Sequence, residues 1–245
     1  MVQQPHRTYR WPPRIQVAGV STLEEALFCN RVGVDAIGFT LGLPDGPHDG
    51  LTPEKAGAII SKLPTGLLPV VITYLNRADA ACELAMVTKP DAMQFHGGIS
   101  EKELVHFRRI CSDVRTIGRV TVVGEESVEE AASFKQPLWD AIILDSLDPR
   151  TGRKGATGLT HDWSLSARIV KIASVPVILA GGLNPDNVAQ AIRKVQPHGV
   201  DAHTGLEDNN STRSFDKIEA FAKAAVVAFK KLNPRRFPDL NGSQG

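Results

Sequence analysis

Eight short apolar segments alternate with eight amphipathic segments along the 245-residue chain, and this alternation is the strongest constraint on its fold. The apolar segments are continuous and rich in β-branched residues, as strands are when both of their faces are buried. They span residues 15–20, 35–40, 70–75, 91–97, 116–122, 140–146, 176–182 and 199–205. Each is followed by a segment with helical spacing, at residues 22–33, 52–63, 77–89, 100–113, 126–136, 162–174, 185–197 and 214–232. Strands that alternate with helices predict a parallel sheet with helical crossovers.

The count of eight strand–helix units predicts an α/β fold, a single-domain (β/α)8 TIM barrel. The alternative is an open doubly wound sheet, but no G-x-G-x-x-G motif opens the first unit. We expect the barrel to span residues 14–232. It is preceded by an N-terminal extension at 1–13, expected to be poorly ordered, and followed by a C-terminal tail at 233–245.

Three of the predicted helices begin with a residue that commonly caps a helix. Thr52, Ser100 and Asp162 each precede a helical segment, and each has a side-chain oxygen that can accept a first-turn amide. Glu103 follows Ser100 by three residues, which predicts a capping box.

Composition and charge limit the classes of function open to the chain. The net charge is +1, so no overall field favours nucleic acid or an anionic membrane, and no apolar run is long enough to span a bilayer. The three cysteines, Cys29, Cys82 and Cys111, lack C-x-x-C spacing, which argues against a disulfide framework and a zinc site. We therefore expect a cytoplasmic protein with reduced thiols and with no metal, nucleic-acid or membrane partner. The oligomeric state stays open.

Catalytic groups of such barrels lie at the carboxyl ends of the strands and in the loops that follow them. That rule selects candidates before any other argument. They are Ala18, Gly19, Tyr74, Asn76, Gln94, His96, Arg119, Asp145, Ser146, Gly181, Gly182, Asp201, His203, Thr204 and Gly205, together with the loop after the second strand, which contains His48.

The stretch PVILAGGLNPDN, at residues 176–187, ends its apolar run in Gly181 and Gly182. A phosphate site after strands seven and eight recurs in this fold. Glycine lets the backbone approach an anion closely, and free amides supply positive potential. With Thr204 and Gly205 at the end of strand eight, the double glycine predicts half of a phosphate site.

Several segments resemble the phosphoribosylanthranilate isomerase family of tryptophan biosynthesis. They are LAGGLNPDNVAQAIRKVQPHGVDAHTGLED near the C-terminus, MQFHG on the fourth strand, and ILDS followed by GATGLTHDW. The resemblance covers about residues 14–232. It implies a single-domain barrel that converts a phosphoribosyl amine to an aminodeoxyribulose phosphate by an Amadori rearrangement, with no metal and no organic cofactor.

The resemblance also implies roles for individual residues. Asp145 would be the general acid that protonates the ribose ring oxygen and opens the ring to a Schiff base. The phosphate would be held by Gly181, Gly182 and Gly205, with Thr204 adjacent. Asp201 would line the pocket near the substrate. Further predicted pocket residues are Gln94, His96, Arg119, His203, Gly155, Thr157 and Gly158.

The sequence departs from the family at two functional positions. The family base, a cysteine in Lys-Ile-Cys-Gly, corresponds to Ala18, and the family lysine corresponds to Gln16. The arginine that holds the anthranilate carboxylate corresponds to His48, which cannot pair with a carboxylate as arginine does. Since losing a general base typically costs roughly 10²–10⁴ in rate, three interpretations remain open.

The first interpretation is an isomerase with a substituted base, for which the candidates are His48, Asp49, His96 and His203. The second is a paralogue that acts on another phosphorylated sugar or amine. The third is a non-catalytic barrel that binds a phosphorylated ligand.

Overall fold

The computed structural model describes residues 8–43, 50–146, 160–208 and 212–232. Eight parallel strands of the described chain close into a barrel in chain order, with β1 paired to β8. The strands are β1 (Ile15–Ala18), β2 (Ala36–Leu41), β3 (Leu68–Thr73), β4 (Ala92–Phe95), β5 (Arg115–Thr121), β6 (Ala141–Asp145), β7 (Val177–Leu179) and β8 (Gly199–Ala202). The predicted (β/α)8 barrel is confirmed.

One helix follows each strand and packs outside the barrel. The helices are α1 (Leu23–Arg31), α2 (Pro53–Ile60), α3 (Ala78–Thr88), α4 (Glu101–Ile110), α5 (Glu126–Ser133), α6 (Trp163–Ile172), α7 (Val188–Val195) and α8 (Phe215–Leu232). A short 3₁₀ turn, Thr204–Leu206, lies between β8 and α8. None of the helices in the described ranges is long and apolar enough to cross a membrane.

The strands bury two separate apolar surfaces because their side chains alternate. Outward-facing residues such as Val17 and Val200 join the helices in one cluster, and inward-facing residues such as Ala18 and Ile143 fill the barrel in a second. On β5, Ile117 belongs to the inner cluster. The next residue, Gly118, faces outward, where a Cβ would collide with the ring of Phe134.

Several strands end earlier than the sequence predicts. β1 stops at Ala18 and β7 stops at Leu179, although both apolar segments continue. Gly19, Gly181 and Gly182 have positive φ angles of 75°, 83° and 62°, which take the chain out of the extended conformation. Residues predicted at strand ends therefore lie in the loops just beyond them.

The three predicted N-caps are confirmed. Thr52 accepts from the amide of Lys55, Ser100 from that of Glu103, and Asp162 from that of Ser164. The carboxylate of Glu103, however, accepts from the amide of Ala78 at 2.8 Å and pairs with Arg77 at 3.0 Å. It therefore caps α3, which has no side-chain cap of its own, and ties the start of α3 to α4.

The described part of the N-terminal extension contacts the barrel. Tyr9 and Trp11 pack against the inner apolar cluster, and the guanidinium of Arg115 lies 4.6 Å from the Trp11 ring centroid. A Cβ on Gly199, at the start of β8, would collide with the carbonyl oxygen of Pro13. The glycine therefore allows this segment to approach the barrel closely.

The three cysteines are free thiols in the structure. Cys29 lies buried on α1, where burial raises its pKa to about 12. The Sγ atoms of Cys82, on α3, and Cys111, after α4, are 3.3 Å apart.

Candidate active site

A cavity lies at the carboxyl ends of the barrel strands, where the fold predicts the active site. It brings together predicted residues from five parts of the barrel. They are Ala18 from β1, Gln94 and His96 from β4 and its end, Asp145 from β6, Gly181 and Gly182 after β7, and Asp201, His203 and Thr204 from β8 and its loop.

Other predicted residues lie elsewhere. Arg119 and Gly205 are not on the cavity wall, although both are close to residues that are. His48, Asp49, Gly155, Thr157 and Gly158 lie outside the described residues.

The prediction missed part of the cavity wall. Thr40 on β2 and Ile72 on β3 also line the cavity, beside Tyr74, which the strand-end rule had selected. Thr40 and Ile72 are register partners across the β2–β3 pair. The two-residue alternation of each strand could have identified them, because Val70 and Ile72 face the same side of β3.

Asp145 is a buried carboxyl group at the last residue of β6. The amide of Ser146 donates to its Oδ1 at 2.8 Å. Burial raises the pKa of Asp145, while the Ser146 amide and the positive charge of Arg119 oppose the increase. A larger fraction of this carboxyl group is therefore protonated near neutral pH than for an exposed aspartate.

Asp201, on β8, is a second buried carboxyl group in the same cavity. Burial and then the negative charge of Asp145 raise its pKa to about 7, against the opposing effects of the Gln16 amide and the Arg213 guanidinium. Its Oδ1 atom is buried and has no hydrogen-bond partner among the described residues.

A chain of side-chain hydrogen bonds crosses the floor of the cavity. The amide of Gln16 donates to Oε1 of Gln94 at 3.1 Å, so the amide of Gln94 is left to donate to Nε2 of His96 at 2.7 Å. This network places the His96 proton on Nδ1. Burial, and then the charge of Arg119, lowers the pKa of His96 to about 3, so the ring is neutral.

Two buried donors near the cavity have no partner among the described residues. One is Nδ1 of His96. The other is the guanidinium of Arg119, whose Nε and Nη1 atoms are both buried. Arg119 follows the outward-facing Gly118 and so points into the barrel, where its charge acts on both His96 and Asp145. Unpaired buried donors are costly unless a ligand oxygen satisfies them.

The loops after β7 and β8 form one side of the cavity. The amides of Gly181, Gly182, Thr204 and Gly205 donate no hydrogen bond to another described residue. A Cβ on Gly205 would collide with the carbonyl oxygen of Leu183, so glycine at this position lets the two loops meet.

The turn that follows Gly182 is held by its own asparagines. Oδ1 of Asn184 accepts from the amides of Asp186 and Asn187, and the Asn187 side chain donates to the carbonyl of Gly182 at 2.9 Å. These bonds fix the conformation of the double glycine without using its own amides.

Arg213 is a structural residue of the site that the sequence analysis missed. Its buried guanidinium donates to the carbonyls of Ala18, Gly19 and His203 at 2.9, 3.0 and 2.9 Å. It therefore holds the end of β1 against the end of β8. His203 packs directly over Gly19, and its Nε2 lies 3.4 Å from Oε1 of Glu207.

Comparisons with known proteins agree with this architecture. A family model described as N-(5'phosphoribosyl)anthranilate (PRA) isomerase matches residues 39–224. The chain is 36% identical to N-(5'-phosphoribosyl)anthranilate isomerase 2 of Methanosarcina mazei, over 89% of this chain and 96% of that protein. It is 34% identical to the N-(5'-phosphoribosyl)anthranilate isomerase of Haloferax volcanii, over 88% and 94% of the two chains.

Solved structures give the same result. Phosphoribosyl anthranilate isomerase of Thermotoga maritima superposes with a TM-score of 0.74 at 30% identity, over 87% of this chain and 98% of that chain. A phosphoribosyl anthranilate isomerase in complex with reduced 1-(o-carboxyphenylamino)-1-deoxyribulose 5-phosphate superposes with a TM-score of 0.71 at 28% identity, with the same coverage of the two chains.

Proposed function

The chain belongs to the N-(5'-phosphoribosyl)anthranilate isomerase family, and we propose that its cavity performs that isomerisation with Asp145 as the general acid. The protein is an aldose–ketose isomerase of the tryptophan-biosynthesis type. Its substrate is a phosphorylated sugar-amine, the class of molecule named for its relatives and represented in the solved complex.

The environment of Asp145 carries this proposal. An acid that protonates the ribose ring oxygen must hold a proton near neutral pH, and burial raises the pKa of Asp145 in that direction. When its proton passes to the ring oxygen, the bond from that oxygen to C1 breaks and the amine nitrogen forms a Schiff base with C1. The Arg119 charge and the Ser146 amide then stabilise the carboxylate that is left.

The loops after β7 and β8 bind the phosphate in this proposal. The amides of Gly181, Gly182, Thr204 and Gly205 make no hydrogen bond to the described protein and are available to phosphate oxygens. The hydroxyl group of Thr204 adds a donor on the same wall of the cavity.

The unpaired donors near the fourth and fifth strands bind other oxygens of the substrate. Nδ1–H of His96 and the Nε and Nη1 donors of Arg119 lie buried without partners in the described chain. A sugar hydroxyl or a carboxylate would satisfy them. Arg119 is the stronger site for an anionic oxygen, because it carries a charge and His96 is neutral.

One observation favours a second function, a non-catalytic barrel that binds a phosphorylated ligand. Ala18 lines the cavity where the family places its basic cysteine, and a methyl group cannot accept a proton. The phosphate-binding loops would serve a binding protein equally well.

Isomerisation of freshly generated N-(5'-phosphoribosyl)anthranilate, followed as loss of its fluorescence, decides between these functions. We expect turnover by the wild type and loss of turnover in Asp145→Asn, with affinity for the reduced deoxyribulose phosphate kept. Asp35→Asn is the matched control, because burial also raises the pKa of Asp35 but Asp35 lies before β2, at the opposite end of the barrel. Binding of the analogue by a wild type without turnover would establish the binding function instead.

A further inference from the structure

The rearrangement needs a second group, which removes the proton from C2 of the sugar after the ring has opened. Ala18 occupies the position of the family base and cannot do so. We propose that the carboxylate of Asp201 is the general base of this enzyme, which replaces the missing cysteine from the neighbouring strand. The proposal rests on the isomerase function given above.

The barrel places Asp201 on the strand next to the vacated position, one inward-facing residue closer to the amino ends of the strands. β8 is the hydrogen-bonded neighbour of β1, with Gln16 opposite Asp201 and Val17 opposite Ala202. Val17 and Ala202 face the outer cluster, so Asp201 and Ala18 both point into the barrel. Both residues line the same cavity. A base on β8 therefore reaches nearly the same region as one on β1.

The bonding of Asp201 leaves one oxygen free to accept a proton. Its Oδ1 is buried without a hydrogen-bond partner in the described ranges. The charged or polar groups that act on the carboxyl are Asp145 from β6, Gln16 from β1 and Arg213 from the segment before α8. A pKa of about 7 gives the carboxylate a basicity adequate for general-base catalysis, and the reactive form is the one in which Asp201 is ionised while Asp145 holds the proton.

Asp201 is a better base than His96 and His203, the two candidate histidines that lie in the described ranges. The hydrogen bond from Gln94 occupies Nε2 of His96 and leaves a proton on Nδ1, so His96 donates rather than accepts. His203 lies against Glu207 and packs over Gly19. Asp201 is a buried carboxyl group in the same cavity as Asp145, and its Oδ1 is available to accept a proton.

The step balances within one substrate molecule. Asp201 takes the proton from C2 of the Schiff base, the C2–H electron pair forms a C1=C2 double bond, and the C1=N pair moves onto nitrogen. The product is a neutral enolamine. Loss of its enol proton and addition of a proton at C1 give the ketone, so C2 is oxidised while C1 is reduced. Asp145 has given one proton and Asp201 has accepted one.

The test compares the full-length wild type with Asp201→Asn, Asp201→Ser and Asp35→Asn in the same assay. We expect both Asp201 variants to lower kcat by roughly 10²–10⁴-fold. We expect KM and the affinity for the reduced deoxyribulose phosphate to change by less than about tenfold, because base removal affects the transition state more than ground-state binding. Asp35→Asn should leave kcat unchanged.

A base restored on β1 separates a catalytic role from a structural one. Adding Ala18→Cys to Asp201→Asn should increase kcat at least about tenfold over Asp201→Asn alone. The activity of this double variant should increase with pH as the thiol, whose ordinary pKa is about 8.5, ionises. Ala18→Ser in the same background has a similar size but no comparable basicity and should recover nothing.

The outcomes distinguish the two proposals. A wild type without turnover would overturn the isomerase function and this role with it. An active wild type whose Asp201 variants keep kcat within about threefold would overturn only the role of Asp201, since loss of a base costs far more. Equal recovery by cysteine and serine would also overturn it.

Discussion

Burial, and then the negative charge of Asp145, raises the pKa of Asp201, since these two buried carboxyl groups line one cavity from β6 and β8. Two carboxyl groups coupled in this way titrate as a pair, and the measured pKa values belong to the pair. Between its two titration steps the pair holds one proton and one negative charge. The reactive form of that state has the proton on Asp145 and the charge on Asp201, and it is the less populated of the two forms because the charge of Asp145 raises the pKa of Asp201.

The pair predicts a bell-shaped pH dependence of kcat/KM. At low pH both carboxyl groups are protonated and no base is present, whereas at high pH both are ionised and no acid is present. The higher pKa of the pair is about 7, and above it the pair has lost the proton that the acid must donate, so we expect kcat/KM to fall as the pH increases beyond about 7. Initial rates at low substrate concentration from pH 5 to pH 9 measure this. A profile that is flat from pH 6 to pH 9 would contradict the coupled pair.

The buried charge of Asp201 also predicts a gain in stability when it is removed. The pKa is about 7 in the folded state and about 3.9 in the unfolded chain. Between these values the folded state binds the extra proton, so the stability of the wild type falls with increasing pH, by up to about 1.4 kcal/mol per pH unit from this group. Above about pH 7 the loss is complete.

Asp201→Asn lacks this titration. We therefore expect its advantage in free energy of unfolding to be small at pH 4 and to grow until about pH 7, measured by urea denaturation at several pH values. Asp162→Asn is the control, because the carboxylate of Asp162 should make stability depend on pH in the opposite direction. Hydrogen bonds from Ser164 lower the pKa of Asp162, so the stability that its carboxylate contributes is lost as the pH falls. An Asp201→Asn protein that is less stable than the wild type at pH 8 would contradict the prediction.

The sequence predicted those parts of the site that depend on position along a strand. Asp145 ends β6 and Gly181 follows β7, so the rule that barrel sites lie at carboxyl ends of strands identified both. The same rule identified Asp201 as a site residue but could not predict its elevated pKa. That value results from burial and from a charge on a strand two places along the barrel, and neither is visible in local sequence.

Arg213 and Glu103 show why other features could not be predicted. Arg213 lies in a polar loop, and its acceptor at Ala18 is 195 residues away in the chain. Glu103 has the spacing of a capping box, yet its carboxylate accepts from the amide of Ala78 on the preceding helix. In both cases the local pattern is compatible with several partners, and tertiary packing selects one.

Removal of the Arg213 guanidinium is expected to weaken both the fold and the site. Arg213→Gln leaves some of the carbonyls of Ala18, Gly19 and His203 without a buried donor, at a cost of about 1–3 kcal/mol. Loss of the positive charge should also raise the pKa of Asp201 and move the falling limb of the kcat/KM profile to higher pH. Urea denaturation and the pH profile measure the two effects.

The matched control for Arg213 is Arg168→Gln. Arg168 also donates to oxygens, at 2.6 and 2.8 Å, but its partner is the exposed Glu125 at the surface. Exposed ion pairs contribute little to stability, so this variant should resemble the wild type in both measurements. Equal effects of the two substitutions would show that Arg213 has no special function at the junction of β1 and β8.

Arg119 predicts a substitution that favours stability at the expense of substrate binding. Its Nε and Nη1 atoms are buried without partners among the described residues, and such donors cost about 1–3 kcal/mol each. Arg119→Met keeps much of the apolar stem and removes the donors, so we expect the free energy of unfolding to stay equal or increase. If these donors bind an anionic oxygen of the substrate, KM should increase by roughly tenfold or more.

Arg119→Lys should recover part of the affinity, because it restores the charge without the planar fork. Urea denaturation and steady-state kinetics of the wild type and the two variants test this prediction. If Arg119→Met is less stable but has an unchanged KM, Arg119 stabilises the barrel and does not bind the substrate.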